Sequence, residues 1–155
     1  GSMSDKISLD YANSLMFEMQ MAFYDERGKG ARFRMTTVGR EFYKAEVLPL
    51  LTTTEISQII QTVEAVLKER RIVSQVSYSQ EDRLLRVSVK GCIHRPIEEK
   101  MVARGVEPFT CIPANLIALA IEEKLDRPVE LAEIKVVEGS CEFLLVVFEE
   151  RPILS

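Results

Sequence analysis

The side chains most capable of metal or nucleophilic chemistry lie in the second half of the chain, which holds all three cysteines and the single histidine. Cys92 and His94 are two residues apart, so both would project to the same side of an extended segment. Zinc prefers a tetrahedral set of cysteine, histidine and carboxylate ligands, usually with one pair close in sequence. The other candidate ligands are more widely spaced: Cys111, Glu133 and Cys141. Spacing alone favours the alternative, in which isolated cysteines are small buried apolar residues.

A catalytic interpretation would use a cysteine as the nucleophile. Cys111 is expected in the first turn of a helix, where the partial positive charge of the helix terminus favours the thiolate. Either Cys111 or Cys92 could pair with His94 as nucleophile and base. The sequence contains no Walker phosphate loop, dinucleotide-binding glycine pattern or nucleophile elbow. We therefore expect a binding protein in preference to an enzyme.

Composition limits the class of protein. A chain of 155 residues with 46% hydrophobic content is expected to form one domain over 7–150. Residues 1–6 are predicted to be a tag remnant and a disordered start, and 151–155 a tail. The net charge is −4 and the basic residues are scattered, so direct nucleic-acid binding is not expected.

The cellular compartment is predicted from two kinds of segment that the sequence does not show, a membrane span and a secretion signal. No apolar run approaches the roughly 20 residues that cross a bilayer, so no membrane span is expected. An odd number of cysteines without a secretion signal indicates free thiols in a reducing compartment. We therefore expect a soluble, cytoplasmic protein.

Helical periodicity dominates the first half of the chain. A helix is predicted over 8–24, apolar on most of its surface, which suggests a subunit interface or the wall of a cavity. A charged loop and a second helix over 36–48 follow, the helix stopping before a proline. Thr52 and Glu55 have the spacing of a capping box, which predicts the start of a third helix at Thr52.

The apolar period then changes to that of strands. Alternation predicts a hairpin over 72–90, a short helix over 98–104, a helix over 111–125 and a second hairpin over 129–148. The run 143–148 is apolar on both faces, as expected for a covered central strand. The predicted fold class is therefore α/β (α+β), with N-terminal helices packed on an antiparallel sheet in the order ααα-ββ-α-ββ.

Three segments resemble the 4-vinyl-reductase-like, or hydrocarbon-binding, domain family: 111–120 (CIPANLIALA), 127–133 (RPVELAE) and 138–143 (EGSCEF). The signature of that family is a cysteine opening a helix of small residues, a strand carrying a glutamate, and a glycine-containing turn into a Cys-x-Phe strand. The resemblance covers about 87–148. The family shares its fold with subunits of the TRAPP vesicle-tethering complex, so the resemblance implies a TRAPP-like ligand-binding fold.

The resemblance implies a homodimer and a pocket for a hydrophobic or aromatic small molecule between the helices and the sheet. We expect that pocket to be lined by the methionine-rich first helix and by the helix over 111–125. The candidate lining residues are Met16, Met19, Phe23, Leu116 and Ala120.

The resemblance also implies a zinc ion. In phenol-sensing bacterial activators that contain this domain, zinc is held by Cys, Glu, Cys and Cys. Three of these ligands have counterparts in this chain: Cys111, Glu133 and Cys141. The fourth position is Val136, so Cys92 or His94 would have to complete the set.

Three functions remain open at this point. The first is a stand-alone sensor or carrier of a hydrophobic small molecule, which would pass a signal through a separate output protein. The second is a TRAPP-like scaffold subunit, in which the first helix pairs two chains. The third is an enzyme of tetrapyrrole metabolism, which the name of the family suggests.

Overall fold

The computed structural model describes residues 6–31 and 35–149, so the predicted tag remnant and the tail over 151–155 lie outside the described residues. Its elements confirm the α+β class, with helices and a four-stranded antiparallel sheet. The regular helices are α1 (Leu9–Arg27), α3 (Ile56–Glu69), α4 (Arg95–Ala103) and α5 (Ile112–Leu125). Between α1 and α3 lies α2, which is α-helical over Arg40–Phe42, π-helical over Tyr43–Val47 and 3₁₀-helical over Leu48–Leu50.

The sheet consists of two hairpins joined side by side. Its strands are β1 (Gln75–Glu81), β2 (Leu84–Lys90), β3 (Val129–Val137) and β4 (Ser140–Val147). The spatial order is β1-β2-β4-β3, and every neighbouring pair is antiparallel. The first and third strands are therefore edges, and β4 is central as predicted. A β-bulge interrupts the pairing of β3 between Leu131 and Glu133.

One face of the sheet carries the main core. Helices α3 and α5 pack there against alternate side chains of the two central strands. Those side chains are Leu85, Val87 and Val89 of β2, and Phe143, Leu145 and Val147 of β4. Each such fully buried apolar side chain stabilises the fold by roughly 1.5–3 kcal/mol. No helix among residues 6–31 and 35–149 is long and apolar enough to cross a membrane.

A second, smaller apolar cluster lies beside the first. Helix α1 packs on α4 and contributes to it. The buried members are Phe17, Ala31, Ile97, Met101, Val106 and Phe109. The fold therefore has two apolar clusters. Cys111 belongs to the main cluster, and Cys92 packs against it.

Several predicted helix boundaries are wrong. The second helix begins at Arg40 and not at 36, and the short helix predicted over 98–104 begins at Arg95. The third helix begins at Ile56, with Glu55 as its N-cap, and the predicted capping box does not form. The hydroxyl of Thr53 instead accepts a hydrogen bond from the Glu55 amide at 3.0 Å, which holds this segment in a turn. The second helix does not stop before Pro49, because a proline in the first turn of the 3₁₀ segment needs no amide hydrogen.

Helix α1 is buried on one side only. Asn13 and Phe17 face the interior. On the opposite side, Tyr11, Leu15 and Met19 are 58%, 42% and 70% exposed. These three side chains are one helical turn apart, so they form a continuous apolar stripe that residues 6–31 and 35–149 leave exposed.

Asn115 fastens the segment before α2 to α5. Its side chain is buried, and its amide nitrogen donates to the carbonyl oxygens of Met35 and Val38, each at 3.0 Å. These bonds are part-buried, and carbonyls that lose their donors there retain part of the cost of leaving water. Asn115 is therefore a structural residue at the start of the helix that carries Cys111.

We predict that Asn115→Leu, which keeps the branching and the number of heavy atoms of the side chain and removes the donor, lowers the free energy of unfolding by about 1–3 kcal/mol. Urea denaturation followed by circular dichroism measures the change. Thr62→Ala is the control, because that exposed hydroxyl bonds only its own helix and its loss should cost less than about 0.5 kcal/mol. An unchanged urea midpoint for Asn115→Leu would contradict this role.

Candidate functional site

The three cysteines converge where the two apolar clusters meet. Cys92 follows β2, Cys111 is the N-cap residue of α5, and Cys141 is near the start of β4. Each thiol is close enough to the other two to interact electrostatically, as is the carboxyl of Glu98 from α4. We call these four side chains the thiol–carboxylate cluster.

A buried hydrogen bond joins two members of the cluster. The Cys141 thiol donates to Oε2 of Glu98 at 2.8 Å, and both residues are buried. Burial raises the pKa of Glu98, because an ionised carboxylate is poorly solvated there. The bond from Cys141 and the charge of Arg95 act in the opposite direction, and Glu99 adds to the rise. The carboxyl of Glu98 is thus held in an apolar setting by one thiol and one cation.

The thiols are held in their neutral form. Burial raises the pKa of Cys92 and of Cys141, and it raises the pKa of Cys111 well above its ordinary value. The expectation that the helix terminus favours the Cys111 thiolate is therefore wrong. The backbone bond from Ala114 does lower the pKa, but the cost of burying a charge is larger. Neutral thiols are poor nucleophiles, which weighs against covalent catalysis at this cluster.

His94 serves the attachment of α1 and is not paired with a thiol as a base. Its Nδ1 lies 3.2 Å from Oδ1 of Asn13, and the Asn13 amide donates to the carbonyl of Ile93 at 2.8 Å. Cys92 instead accepts a hydrogen bond from the backbone amide of His94 at 3.4 Å. Burial lowers the pKa of His94, so the ring is mainly neutral. The segment after β2 is thereby fixed to the buried side of α1.

Glu133 lies away from the cluster. It is on the face of β3 opposite to the buried Ile134, its side chain is 45% exposed, and Lys135 is 3.5 Å from it. The structure therefore brings together Cys92, Cys111 and Cys141 from the expected ligand set, and it places Glu133 on the other side of the sheet. The acidic residue beside the cysteines is Glu98.

Sequence reasoning missed Glu98, although a signal for it was present. Ile97 and Met101 are one turn apart and buried, and Glu98 follows directly on the same buried side of α4. An acidic residue within an apolar stripe is costly to bury unless it is paired or protonated. That pattern, six residues after Cys92, was the available indication.

The expected pocket residues are divided between different parts of the fold. Leu116 and Ala120 are fully buried in the main core. Met16 and Phe23 pack on the second cluster, and Met19 is 70% exposed. None of these five residues lines the groove beside β3, the depression on the open face of the sheet or the depression beside α2.

A groove of about 770 Å³ lies instead beside the edge strand β3. Its floor runs along 131–137, and its opposite wall is formed by the end of α1 and the segment between α4 and α5. The rings of Tyr24 and Phe109 stack in that wall, with centroids 5.9 Å apart and planes inclined at 22°. Val136 lines the groove and pairs with Cys141 across the strands, so groove and cluster are one strand apart.

The donor set of the cluster is one that zinc prefers, but the ligand atoms are not already arranged around a common point. Among residues 6–31 and 35–149, no three histidine, cysteine or acidic side chains are placed to hold a metal ion. Metal binding would require rotation of side chains and loss of the Cys141 to Glu98 hydrogen bond. Comparison with protein-family models and with curated proteins finds no match to this chain.

We predict that Glu98 makes stability depend on pH. Because its pKa is raised in the fold, the stability linked to its protonated form is complete below its ordinary pKa of 4.5 and is lost as pH rises through the raised value. Glu98→Gln cannot titrate. From about pH 4 to about pH 8, the free energy of unfolding of the parent protein should therefore fall relative to that of Glu98→Gln.

Urea denaturation in the presence of EDTA measures this difference without interference from metal. Glu69→Gln is the matched control, since Glu69 is exposed at the end of α3 and its charge is not among those that act on the pKa of Glu98. That variant should keep the pH dependence of the parent. A constant difference between the parent and Glu98→Gln over this pH range would show that the carboxyl is solvated.

Proposed function

We propose that this protein is a binding module for a hydrophobic or aromatic small molecule, acting as a sensor or carrier, and that the groove beside β3 holds the ligand. The observation that carries the proposal is the stacked Tyr24 and Phe109 pair in the wall of a groove of about 770 Å³. Small-molecule sites typically occupy about 300–1,000 Å³ and combine aromatic walls with a few polar groups. The groove fits that description in size and in lining.

The lining suits a largely apolar ligand with a polar end. Val106 and Phe109 belong to the second apolar cluster, and Ile134 and Val136 face the groove from β3. Lys29 and Glu107 lie at its rim. An aromatic ring would gain contact with Tyr24 and Phe109, while a polar substituent could remain near the charged rim.

A zinc ion at the thiol–carboxylate cluster would add a second function to the module. Cys92, Cys111, Cys141 and Glu98 would hold it, because thiolates and carboxylates are preferred zinc ligands. Zinc would supply a positive charge that stabilises the deprotonated thiols, whose ionisation is otherwise opposed by burial. Val136 pairs with Cys141, so a shift of Cys141 on binding zinc would also move the strand that forms the floor of the groove.

The apolar stripe of α1, formed by Tyr11, Leu15 and Met19, supports a homodimer. These exposed side chains would be covered if the helices of two copies packed together. Signalling would then pass to a separate output protein through altered contacts between the copies. We place the protein in the cytoplasm, where thiols remain reduced.

The same stripe favours the second candidate, a scaffold subunit resembling those of the TRAPP complex. In that function α1 would pair two chains, and the groove would have no resident ligand. An enzyme of tetrapyrrole metabolism receives no such support, since the cysteines are neutral and His94 bonds to Asn13. Ligand binding at the groove discriminates between the module and the scaffold.

We predict that naphthalene, used as a neutral aromatic probe, binds the protein at one site. The chain contains no tryptophan, so fluorescence of the probe is not overlaid by tryptophan emission. Tyr24→Ala should weaken binding about fivefold, because it removes one ring of the aromatic wall, worth about 1 kcal/mol. Tyr78→Ala is the matched control, since Tyr78 belongs to β1 at the other edge of the sheet. Absence of binding, or equal affinity in Tyr24→Ala, would favour the scaffold.

We predict that one equivalent of zinc raises the melting temperature and that cobalt gives a thiolate-to-metal absorption band. Glu98→Gln and Cys141→Ser should each lower the metal affinity by about tenfold or more. Glu133→Gln should bind as the parent does, because Glu133 is on the other face of the sheet. A melting temperature unaffected by both zinc and chelator would exclude the metal. Loss of zinc binding in Glu133→Gln but not in Glu98→Gln would identify Glu133 as the acidic ligand.

A further inference from the structure

The face of the sheet that points away from the helices is partly apolar. On β4 the outward side chains Leu144 and Val146 are half-buried, and on β2 the outward Leu84 is 38% exposed. The solvent face of an antiparallel sheet is normally polar. A depression of about 350 Å³ crosses the middle of this face and is lined by residues of all four strands and no helix. We call this surface the outer face.

The outer face has a basic strand, β2, and a mainly acidic strand, β3, with one charge of the other sign beside or within each: Glu81 on β1 next to β2, and Lys135 on β3. Arg86 and Lys90 are exposed on β2, whereas Glu130 and Glu133 are exposed on β3. The central strand β4 separates them. The charges of both signs make a nucleic acid or an anionic membrane a poor partner, because either would repel the acidic side.

The strand register places one basic and one acidic residue in the same row. Arg86 pairs with Leu144 on β4, and Leu144 pairs with Glu133 on β3. An apolar residue on the central strand thus has a cation on one side and a carboxylate on the other. A pattern of this kind is complementary to itself after rotation by half a turn about the direction of β4.

We propose that the outer face binds the outer face of a second copy of this chain. With a two-fold axis along β4, the β2 strand of one copy faces the β3 strand of the other, so Arg86 lies opposite Glu133 of the second copy. Symmetry repeats the pair, giving two charge pairs around a centre formed by Leu144 and Val146. Two sheets that pack face to face align within about 30°, which preserves this pairing of rows.

The other charges of the face are compatible with this arrangement. Lys135 is 3.5 Å from Glu133 within the chain, but Glu133 remains 45% exposed and can accept a second cation. Glu142 is one row from Leu144 and pairs in register with Lys135, which offsets the repulsion between the Glu142 carboxylates of two copies. The apolar centre and the two Arg86 to Glu133 pairs therefore define the contact.

This contact is distinct from the apolar stripe of α1 and does not depend on the proposed ligand or metal. The test therefore uses the full chain with Leu15→Glu and Met19→Glu, which block the contact through α1. Sedimentation velocity over a range of concentrations measures the remaining association. We expect this blocked chain to form a dimer through the outer face.

Charge reversal on either side of the contact should break that dimer. R86E leaves only carboxylates at the paired positions, and E133R leaves only cations, so each variant repels its own copies. Each should raise the dimer dissociation constant at least about tenfold. An equal mixture of R86E and E133R should regain the dimer, because every cross-chain pair is then attractive. K68E on the exposed side of α3 is the control for an equal change of charge and should leave association unchanged.

Three results would overturn the proposal. They are a monomeric blocked chain at all concentrations, a dimer that R86E and E133R do not weaken, and a mixture that fails to recover association while both variants remain folded by circular dichroism. None of these results bears on the groove. A dimer of the unblocked chain that Leu15→Glu and Met19→Glu abolish completely would leave the α1 contact standing and exclude the outer face.

Discussion

The packing of helix α4 against β4, beside the three cysteines, depends on the buried hydrogen bond between Cys141 and Glu98. A carboxyl can be buried only if it is neutral, paired or hydrogen-bonded. Here one buried thiol donates to it, and Arg95 lies close enough to lower its pKa. Helix α4 must therefore remain against the start of β4, and this position in turn brings Cys92 and Cys111 to the same junction.

The position of α4 is reinforced from two directions. Arg95, in its first turn, donates to the carbonyl of Val137 at the end of β3, at 2.6 Å. Asn13 of α1 binds the carbonyl of Ile93 just before the helix. These polar contacts join the second apolar cluster to the sheet. Val137, which accepts the bond from Arg95, is also part of the floor of the groove.

The sheet was predictable because its patterns are local. Strict alternation specified which residues of β2 face the core, whereas the run 143–148 is apolar on both faces and predicted only that β4 is central. The register follows from the two short turns. Glu98 was not predictable as a partner of the cysteines, since its contact with Cys141 joins residues 43 apart in sequence. The same limit applies to Leu116 and Met16, which share helical patterns but enter different apolar clusters. The predicted start of α3 is wrong because the Glu55 amide donates a hydrogen bond to the Thr53 hydroxyl, which holds this segment in a turn and not in a helix.

A crystal structure of the protein purified in EDTA tests the central claim most directly, because it locates the acidic residue that accompanies the cysteines. We expect Sγ of Cys141 to lie near 2.8 Å from Oε2 of Glu98, with Cys92 and Cys111 beside them. We also expect Glu133 to be at the solvent face of β3. A Glu98 carboxylate in solvent, or a Glu133 carboxylate facing the three cysteines, would contradict this arrangement.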